Sequence, residues 1–300
     1  MIYRFFLGLT FLFSLNNVGA QSTPNVVVSI KPIHSIVSAL MEDVSRPYLL
    51  LKSSDSAHTF HLKPSQLKLL SNADLVITIG DSFETGLNKT LGNIKDGSHI
   101  VVSEIEGLDI YQFRNIDTNA MNEDDKDERN DYDLHLWLDI DNIIKTAYYL
   151  NEQLIKIDSN NSNTYETNLK RIHSRLNELK SELRQQLTPF SSERYAIFSD
   201  TLQYFEKSFH FQKPVIITPY HGARLSIHRT LEARNKIKDL KIKCLLYGPE
   251  NKLKKVGVLL EDLPIKALRI DILGAKLDAG SDQYFNLMEG LSSQLVECLG

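Results

Sequence analysis

Short runs of branched apolar residues alternate with helical patterns over the first half of the chain. The runs Val26–Ile30, Leu75–Gly80 and Ile100–Val102 predict strands, because valine and isoleucine favour extended backbone. Apolar residues recur at helical spacing over Ile33–Leu40, and Ser65–Leu70 predicts a second helix. Strands without polar alternation, separated by helices, are typical of a parallel sheet that is covered on both faces.

A long amphipathic helix is predicted in the middle of the chain. It follows the polar cluster Asp158–Asn163 and ends near Pro189. Its apolar residues recur at spacings of four and three: Tyr165, Leu169, Ile172, Leu176, Leu179, Leu183 and Leu187. A stripe sustained over about six turns could pair with another chain as a coiled coil. We favour the alternative, in which the helix lies against the body of its own chain.

The second half repeats the alternation of strands and helices. Strands are predicted at Tyr195–Phe198, Val215–Ile217, Cys244–Tyr247 and Ala267–Ile270, and helices at Leu225–Leu240 and Tyr284–Cys298. We therefore predict an α/β fold of two Rossmann-like lobes with mostly parallel sheets, joined by the long rigid helix. Residues 21–157 would form the N-terminal lobe, 158–189 the linking helix and 190–300 the C-terminal lobe. Because such sheets bind ligands at the carboxyl ends of their strands, the expected site lies in the cleft between the lobes.

The first twenty residues, 1–20, read as a secretion signal. A positive charge precedes Phe5–Leu15, an apolar core too short to span a bilayer, and Val18–Ala20 offers the small residues needed for cleavage after Ala20. We therefore expect an exported protein. In an oxidising compartment Cys244 and Cys298 are expected to pair as a disulfide; the alternative is two buried reduced thiols.

Charge and motif content argue against several classes of function. The net charge of −4 arises from both signs interspersed along the chain, which gives no basic surface for nucleic acid. The chain has no His-Glu-x-x-His, no Gly-x-Ser-x-Gly and no phosphate-binding Gly-rich loop. We therefore expect a protein that is not an enzyme and does not bind nucleic acid.

Two segments that contain histidine are the clearest candidates for a metal site. His58 lies in Ala57–Ser65, and His135 lies in Asp133–Asp139, two residues before the only tryptophan, Trp137. Neutral imidazole is the commonest metal ligand, and two histidines from distant segments can meet only through the fold. Without further support, each would be an ordinary packed histidine.

Two other histidines invite different interpretations. His34 follows a predicted strand, and we expect it to be a hydrogen-bonded residue of the core or cleft. His61 lies three residues after His58, so in an extended segment it would face the opposite side. We favour a surface or supporting role for His61 over a role as a ligand.

Several short segments, spread over nearly the whole mature chain, share the pattern of one known family. They are Ser29–His34, Ala57–Ser65, Ala73–Val76, Gly80, Glu84, His135–Asp139, Thr164–Leu169, Tyr204–Phe205 and Asp271–Gly274. Each is weak alone, but the set is specific. The chain resembles the ZnuA-like, or cluster A-I, solute-binding receptors of ABC transporters that import zinc and manganese.

This resemblance implies that four side chains hold a divalent metal between the lobes. His58, His135 and Asp271 match three of the family's ligands. Ser199 occupies the remaining position, which is usually histidine in zinc receptors and glutamate in manganese receptors. A neutral hydroxyl is a poorer ligand than either, so we expect a weakened site that Ser199, water or Asp200 completes. Strand alternation should point Asp200 away from Ser199.

The resemblance also implies a function. We expect a monomeric periplasmic receptor that captures Zn²⁺, Mn²⁺ or Fe²⁺ and delivers it to the membrane permease of an ABC importer. The acidic segment 117–131 matches a family loop that is often rich in histidine, but it contains none, so zinc scavenging by imidazoles is not supported. A periplasmic metal-dependent hydrolase and a surface adhesin of the same architecture are the alternatives. The hydrolase would use an open position on a site of two histidines and one aspartate.

Overall fold

The computed structural model describes residues 23–51, 62–92, 94, 97–114, 132–218, 227–249, 251 and 253–300. The predicted secretion signal, the candidate ligand His58, its neighbour His61 and the acidic segment 117–131 lie outside the described residues. None of the helices within those ranges has the length and apolar character that crossing a membrane requires.

The first half folds around a four-stranded parallel sheet. Its strands are β1 (Val26–Val28), β2 (Tyr48–Leu49), β3 (Leu75–Thr78) and β4 (His99–Val101), in the order β2-β1-β3-β4. Val27 lies opposite Val76 and Val28 lies opposite Ile77, and all four side chains are buried. Burial on both faces explains why these strands carry valine and isoleucine without polar alternation. The predicted parallel sheet is confirmed.

Three helices and a hairpin accompany this sheet. They are α1 (Lys31–Leu40), α2 (Pro64–Ser71), α3 (Asn88–Leu91) and the antiparallel pair β5 (Tyr111–Gln112) and β6 (Tyr132–Asp133). Pro32 lies in the first turn of α1, where its missing amide costs no helical hydrogen bond. The sequence does not predict the hairpin, because strands of two residues leave no periodic pattern. Its strands precede and follow the acidic segment in the chain.

The long helix packs inside its own chain. α5 (Ser162–Leu187) follows α4 (Ile140–Ile157) and has a 3₁₀ turn at each end, Ser159–Asn161 and Thr188–Phe190. All seven residues of the predicted stripe are buried. They face α1, α4 and the C-terminal helix, so elements from both halves of the chain cover the stripe. The predicted helix, laid against its own chain, is confirmed.

The second half builds a parallel sheet with the same strand order. Its strands are β7 (Ala196–Ser199), β8 (Val215–Thr218), β9 (Cys244–Tyr247) and β10 (Lys266–Arg269), and its helices are α6 (Gln203–Ser208), α7 (Ile227–Asp239), α8 (Leu253–Leu260) and α9 (Gln283–Leu299). The order β8-β7-β9-β10 is second, first, third and fourth, as in the first sheet. Such a reversal beside the first strand opens a crevice at the carboxyl ends. The chain leaves β7 at Ser199, so this candidate ligand stands at the crevice edge of the sheet.

A disulfide fastens the C-terminal helix to this sheet. Cys244 at the start of β9 and Cys298 near the end of α9 are bonded, with their Cα atoms 5.3 Å apart. Both residues are buried. The predicted pairing is confirmed.

Removing this disulfide should lower the free energy of unfolding by about 3–5 kcal/mol. The bond closes a loop with a sequence separation of 54 residues, which restricts the unfolded chain. Denaturant unfolding of the Cys244→Ala/Cys298→Ala variant measures the loss, and wild-type protein unfolded under reducing conditions is the matched control. Free thiols titrated in unreduced, unfolded wild type would contradict the bond.

Candidate metal centre

A buried carboxylate joins the carboxyl ends of two strands in the first sheet. Glu84 accepts the Ser29 hydroxyl at 2.5 Å and the backbone amides of Ile79 and Gly80 at 2.9 Å each. Burial raises the pKa of the Glu84 carboxyl above its usual range, although these hydrogen bonds oppose the shift. Glu84 therefore fixes the loops that follow β1 and β3, which form one wall of the expected cleft.

His135 lies in a buried segment that packs on this wall. A Cβ atom at Gly80 would lie 2.8 Å from the Leu134 side chain, so the close approach of the segment requires glycine. The ring of Phe83 meets the His135 imidazole edge-on at 5.8 Å between centroids, and Trp137 lies tilted against it at 5.3 Å. Apolar rings on two sides thus hold the imidazole plane in one orientation.

Asp133 fixes the tautomer of this histidine. Its Oδ1 atom accepts the His135 backbone amide at 3.0 Å and lies 2.7 Å from the ring nitrogen Nδ1. An ionised carboxylate only accepts, so Nδ1 carries the proton and Nε2 is the nitrogen that can bind a metal. A carboxylate behind the imidazole is the usual support of a histidine that ligates a metal.

Asp271 lies at the start of a tight turn, two residues after β10. Its Oδ1 atom accepts the amides of Leu273 at 3.1 Å and Gly274 at 3.0 Å, and Oδ2 accepts the amide of Ala275 at 2.6 Å. These bonds occupy both lone pairs of Oδ1 and leave Oδ2 one further lone pair. Asp271 can therefore act as a ligand through one oxygen while its turn holds it in place.

Residues from the first half of the chain hold the carbonyl groups of the same turn. The indole Nε1 of Trp137 donates to the Ile272 carbonyl at 2.9 Å. Lys31, at the start of α1, donates through Nζ to three further carbonyls at 2.6–3.2 Å: those of Gly274, Ala275 and Leu277. The two segments that carry His135 and Asp271 are thus bonded to each other directly.

Ser199 presents its lone pairs rather than its proton. Thr218 donates its hydroxyl to the Phe198 carbonyl at 2.8 Å, and its Oγ1 atom lies 3.2 Å from the Ser199 hydroxyl. Because the Thr218 proton is already used, Ser199 is the donor of the second bond. Its oxygen keeps lone pairs for a cation or a water, but it is neutral and buried.

Asp200, the next residue, is engaged by an arginine. Arg114 donates from Nε to Oδ2 at 3.0 Å and from Nη2 to Oδ1 at 2.5 Å, and its Nη1 lies 2.6 Å from Glu206 Oε2. Burial raises the pKa values of the Asp200 and Glu206 carboxyls, although the guanidinium opposes both shifts. The side chains of Ser199 and Asp200 therefore have different partners, Thr218 and Arg114, as strand alternation predicts.

Helix α6 is hydrogen-bonded to the hairpin that ends at Asp133. Tyr204 donates its hydroxyl to the Asp133 carbonyl at 2.6 Å and accepts the Tyr111 amide at 3.0 Å. Gln203 donates to the Gln112 carbonyl at 2.9 Å and lies 3.4 Å from Asp133 Oδ2. The loop after β7 and the segment before His135 are consequently one packed unit.

The structure describes three of the four candidate ligands and brings two of them onto directly bonded segments. His135 and Asp271 lie on two directly bonded segments, and Ser199 lies at the end of β7. His58 lies outside the described residues, among which no three His, Cys, Asp or Glu side chains are placed to hold a metal. His34 is buried and bonded to the Pro47 carbonyl, as expected of a core histidine.

Sequence reasoning missed three residues that support the candidate ligands. The sequence analysis includes Asp133 only as the first residue of the segment around His135 and predicts no role for it. Lys31 and Arg114 look like ordinary surface cations, because their partners lie far away in the sequence: up to 246 residues for Lys31 and 86 for the Arg114–Asp200 bonds. No local pattern signals such contacts.

Comparison with known proteins gives a consistent result. A family model described as zinc-uptake complex component A, periplasmic, matches residues 26–298. The high-affinity zinc uptake system protein ZnuA of Brucella abortus (strain 2308) is 29% identical over 310 residues, 93% of each chain. A crystal structure of ZnuA has a TM-score of 0.76 at 20% identity, covering 93% of this chain and 100% of that one. The Pseudomonas aeruginosa SBP FpvC in complex with Mn²⁺ has a TM-score of 0.75 at 16% identity, covering 93% and 98%. At these identities the solved structures show a shared fold.

Replacing Asp133 should weaken metal binding while His135 remains in place. Without the carboxylate the imidazole loses its fixed tautomer and part of its basicity, so Asp133→Ala should reduce the affinity about 10- to 100-fold. Competition titration with a chromophoric chelator measures the affinity, and nitrogen NMR of the imidazole reports the tautomer. Asp109→Ala, which removes an exposed carboxylate paired with Lys145, is the matched control. Equal affinities for the two variants would contradict the role of Asp133.

Proposed function

Since this chain belongs to the ZnuA family of periplasmic zinc-uptake components, we propose that it captures Zn²⁺ or Mn²⁺ between two lobes and hands it to the membrane permease of an ABC importer. The B. abortus relative is a zinc uptake protein and FpvC binds Mn²⁺, so both ions are candidates for the cargo. The chain would act as a monomer after cleavage behind Ala20, with lobes at 21–157 and 190–300 around the linking helix.

One observation supports the proposal: the segments bearing His135 and Asp271 are bonded to each other, and neighbouring groups orient both the imidazole and the carboxylate. Asp133 orients the imidazole, the turn amides orient the Asp271 carboxylate, and the bond from Trp137 to Ile272 joins the two segments. Preorganised ligands bind a metal at a smaller ordering cost.

We propose His58, His135, Asp271 and Ser199 as the ligands of the captured ion. Imidazole and carboxylate suit both Zn²⁺ and Mn²⁺, and Zn²⁺ binds more tightly at a given site of this kind. A hydroxyl in the fourth position supplies no charge, so this site should release its metal more readily than one with histidine or glutamate there. Easier release suits a receptor that must give up its cargo.

Substitution of either histidine tests the proposed function. His58→Ala and His135→Ala should each abolish most of the rise in melting temperature on adding Zn²⁺ or Mn²⁺, because a ligand that binds only the folded state stabilises it by RT ln(1 + [L]/Kd). His173→Ala is the control and should keep the full response, because this half-buried α5 residue packs edge-on against Tyr148 and is not a proposed ligand.

The same samples separate a receptor from a hydrolase. Metal-loaded wild type should bind its ion and turn over neither generic esters nor phosphate esters. An unchanged melting response in His58→Ala or His135→Ala would remove that residue from the site, and turnover that depends on the metal would refute the receptor assignment.

A substitution series at Ser199 tests the fourth ligand. Ser199→His should build a site of three histidines and one aspartate, which suits tetrahedral zinc, and should tighten Zn²⁺ binding at least tenfold, about 1.4 kcal/mol. Ser199→Glu adds a hard anionic oxygen and should favour Mn²⁺. Ser199→Ala should change little, because water replaces a neutral hydroxyl. Calorimetric titration with both ions measures the series, and an unchanged Zn²⁺ affinity in Ser199→His would exclude this position.

A further inference from the structure

The turn that starts at Asp271 is hydrogen-bonded through both its amides and its carbonyls. Its amides donate to the Asp271 carboxylate. Its carbonyls accept bonds of 2.6–3.2 Å from three buried side chains: Trp137, Gln283 and Lys31. Of these three, Lys31 is the charged one, and it comes from the first half of the chain, as Trp137 does. Two residues of the first half therefore hold a turn of the second half.

Lys31 meets three carbonyl groups, which is the number of N–H groups on an ammonium. Its Nζ atom lies 3.2 Å from the oxygen of Gly274, 3.0 Å from that of Ala275 and 2.6 Å from that of Leu277. A neutral amine has only two N–H groups, so the three bonds fit the charged form of the side chain. A buried charge is stable only when polar groups surround it, so the three carbonyls have to converge on Nζ. This convergence fixes the turn relative to the start of α1.

Two further bonds fasten the same part of the chain to α1. Ser35, one helical turn after Lys31, donates its hydroxyl to the Ser281 carbonyl at 3.0 Å and accepts the Tyr284 amide at 3.0 Å. Lys31 and Ser35 lie on one face of α1, because residues four apart share a helix face. The segment from the Asp271 turn to the start of α9 is therefore bonded to α1 at two places.

We propose that Lys31 is a positioning residue of the metal site, which holds the Asp271 carboxylate in place although its own charge repels the captured ion. The inference rests on the proposed function, since Asp271 is one of the proposed ligands. By charge alone, a lysine bonded to the Asp271 turn would weaken the binding of a divalent cation. By position, it restricts the turn whose amides orient the carboxylate, which lowers the ordering cost of binding. The two effects have opposite signs, so one substitution separates them.

Lys31→Met keeps the apolar stem of the side chain and removes the ammonium. If Lys31 acts by position, the affinity for Zn²⁺ and Mn²⁺ should fall about tenfold or more, as is typical when a group that supports a ligand is removed. If it acted by charge alone, both affinities should rise. Calorimetric titration of the folded variant measures the change, so a loss of stability alone would not affect the result. Lys145→Met, which removes an exposed cation paired with Asp109, is the matched control and should change neither affinity.

Hydrogen exchange of the metal-free protein tests the position of the turn directly. The three turn amides that donate to Asp271 should exchange about tenfold faster in Lys31→Met than in wild type, because the turn opens locally once its carbonyls are released. The Val76 amide, which donates to the Ser98 carbonyl in the first sheet, reports the opening of the lobe. Its rate corrects the comparison for any loss of overall stability.

Nitrogen NMR of wild type tests the proposal even if Lys31→Met does not fold. The ammonium protons of Lys31 should exchange more slowly than those of the exposed Lys145, because three carbonyls hold them. Equal exchange rates for the two lysines would overturn the proposal. So would a metal affinity in Lys31→Met that equals or exceeds that of wild type, or turn amides that exchange no faster after the correction. Failure of the proposed function is recognised separately, because wild type would then bind neither Zn²⁺ nor Mn²⁺, whereas the exchange rates of the metal-free protein would be unaffected.

Discussion

The bond from the Trp137 indole to the Ile272 carbonyl is the contact on which the candidate centre depends. Trp137 is fully buried, so its N–H must find an acceptor inside the protein. The acceptor it finds is the turn that starts at Asp271, and Tyr284 donates to the carbonyl of the same tryptophan at 2.9 Å. Burial of one aromatic ring therefore connects the His135 segment, the Asp271 turn and helix α9. The buried tryptophan and its hydrogen bonds therefore fix the position of the His135 segment relative to the Asp271 turn.

The fold could be predicted where burial produces a hydrophobic pattern in the sequence. The site could be predicted only where a residue lies in a sequence segment that resembles the family. Doubly buried strands must be apolar throughout, so β1 and β3 stand out, and the long stripe of α5 repeats often enough to be recognised. His135 was found through its neighbours Leu136 to Asp139. The role of Asp133 depends on its carboxylate pointing at the His135 ring, which the spacing of the two residues in the sequence does not predict. The partners of Arg114, Asp200 and Glu206, lie in the other half of the chain, and no local sequence pattern predicts such contacts.

The four carboxylates around the candidate centre have different environments. Glu84 accepts hydrogen bonds from backbone and hydroxyl groups, Asp133 supports an imidazole, and Asp271 caps a turn. Asp200 is the one that meets a guanidinium in bidentate geometry. A buried carboxylate that is hydrogen-bonded only by neutral donors keeps its negative charge available to a nearby cation, whereas one in a bidentate ion pair does not. Of these four carboxylates, Asp200 is therefore the one whose charge is balanced by a direct ion pair with a guanidinium.

Hydrogen bonds inside the protein restrain both His135 and the turn that starts at Asp271. The Asp271 turn has its amides and its carbonyls bonded within the protein, and His135 is held by a carboxylate and two aromatic rings. Closing around one ion rather than another would require breaking these bonds, each of which contributes about 1 kcal/mol or more when buried. Differences in ion size can therefore shift these groups very little. The candidate donor at the edge of β7 is the neutral Ser199 hydroxyl, next to an Asp200 carboxylate that is bonded to Arg114. A substitution at Ser199 therefore tests the choice of ion without breaking the bonds that hold His135 and the Asp271 turn.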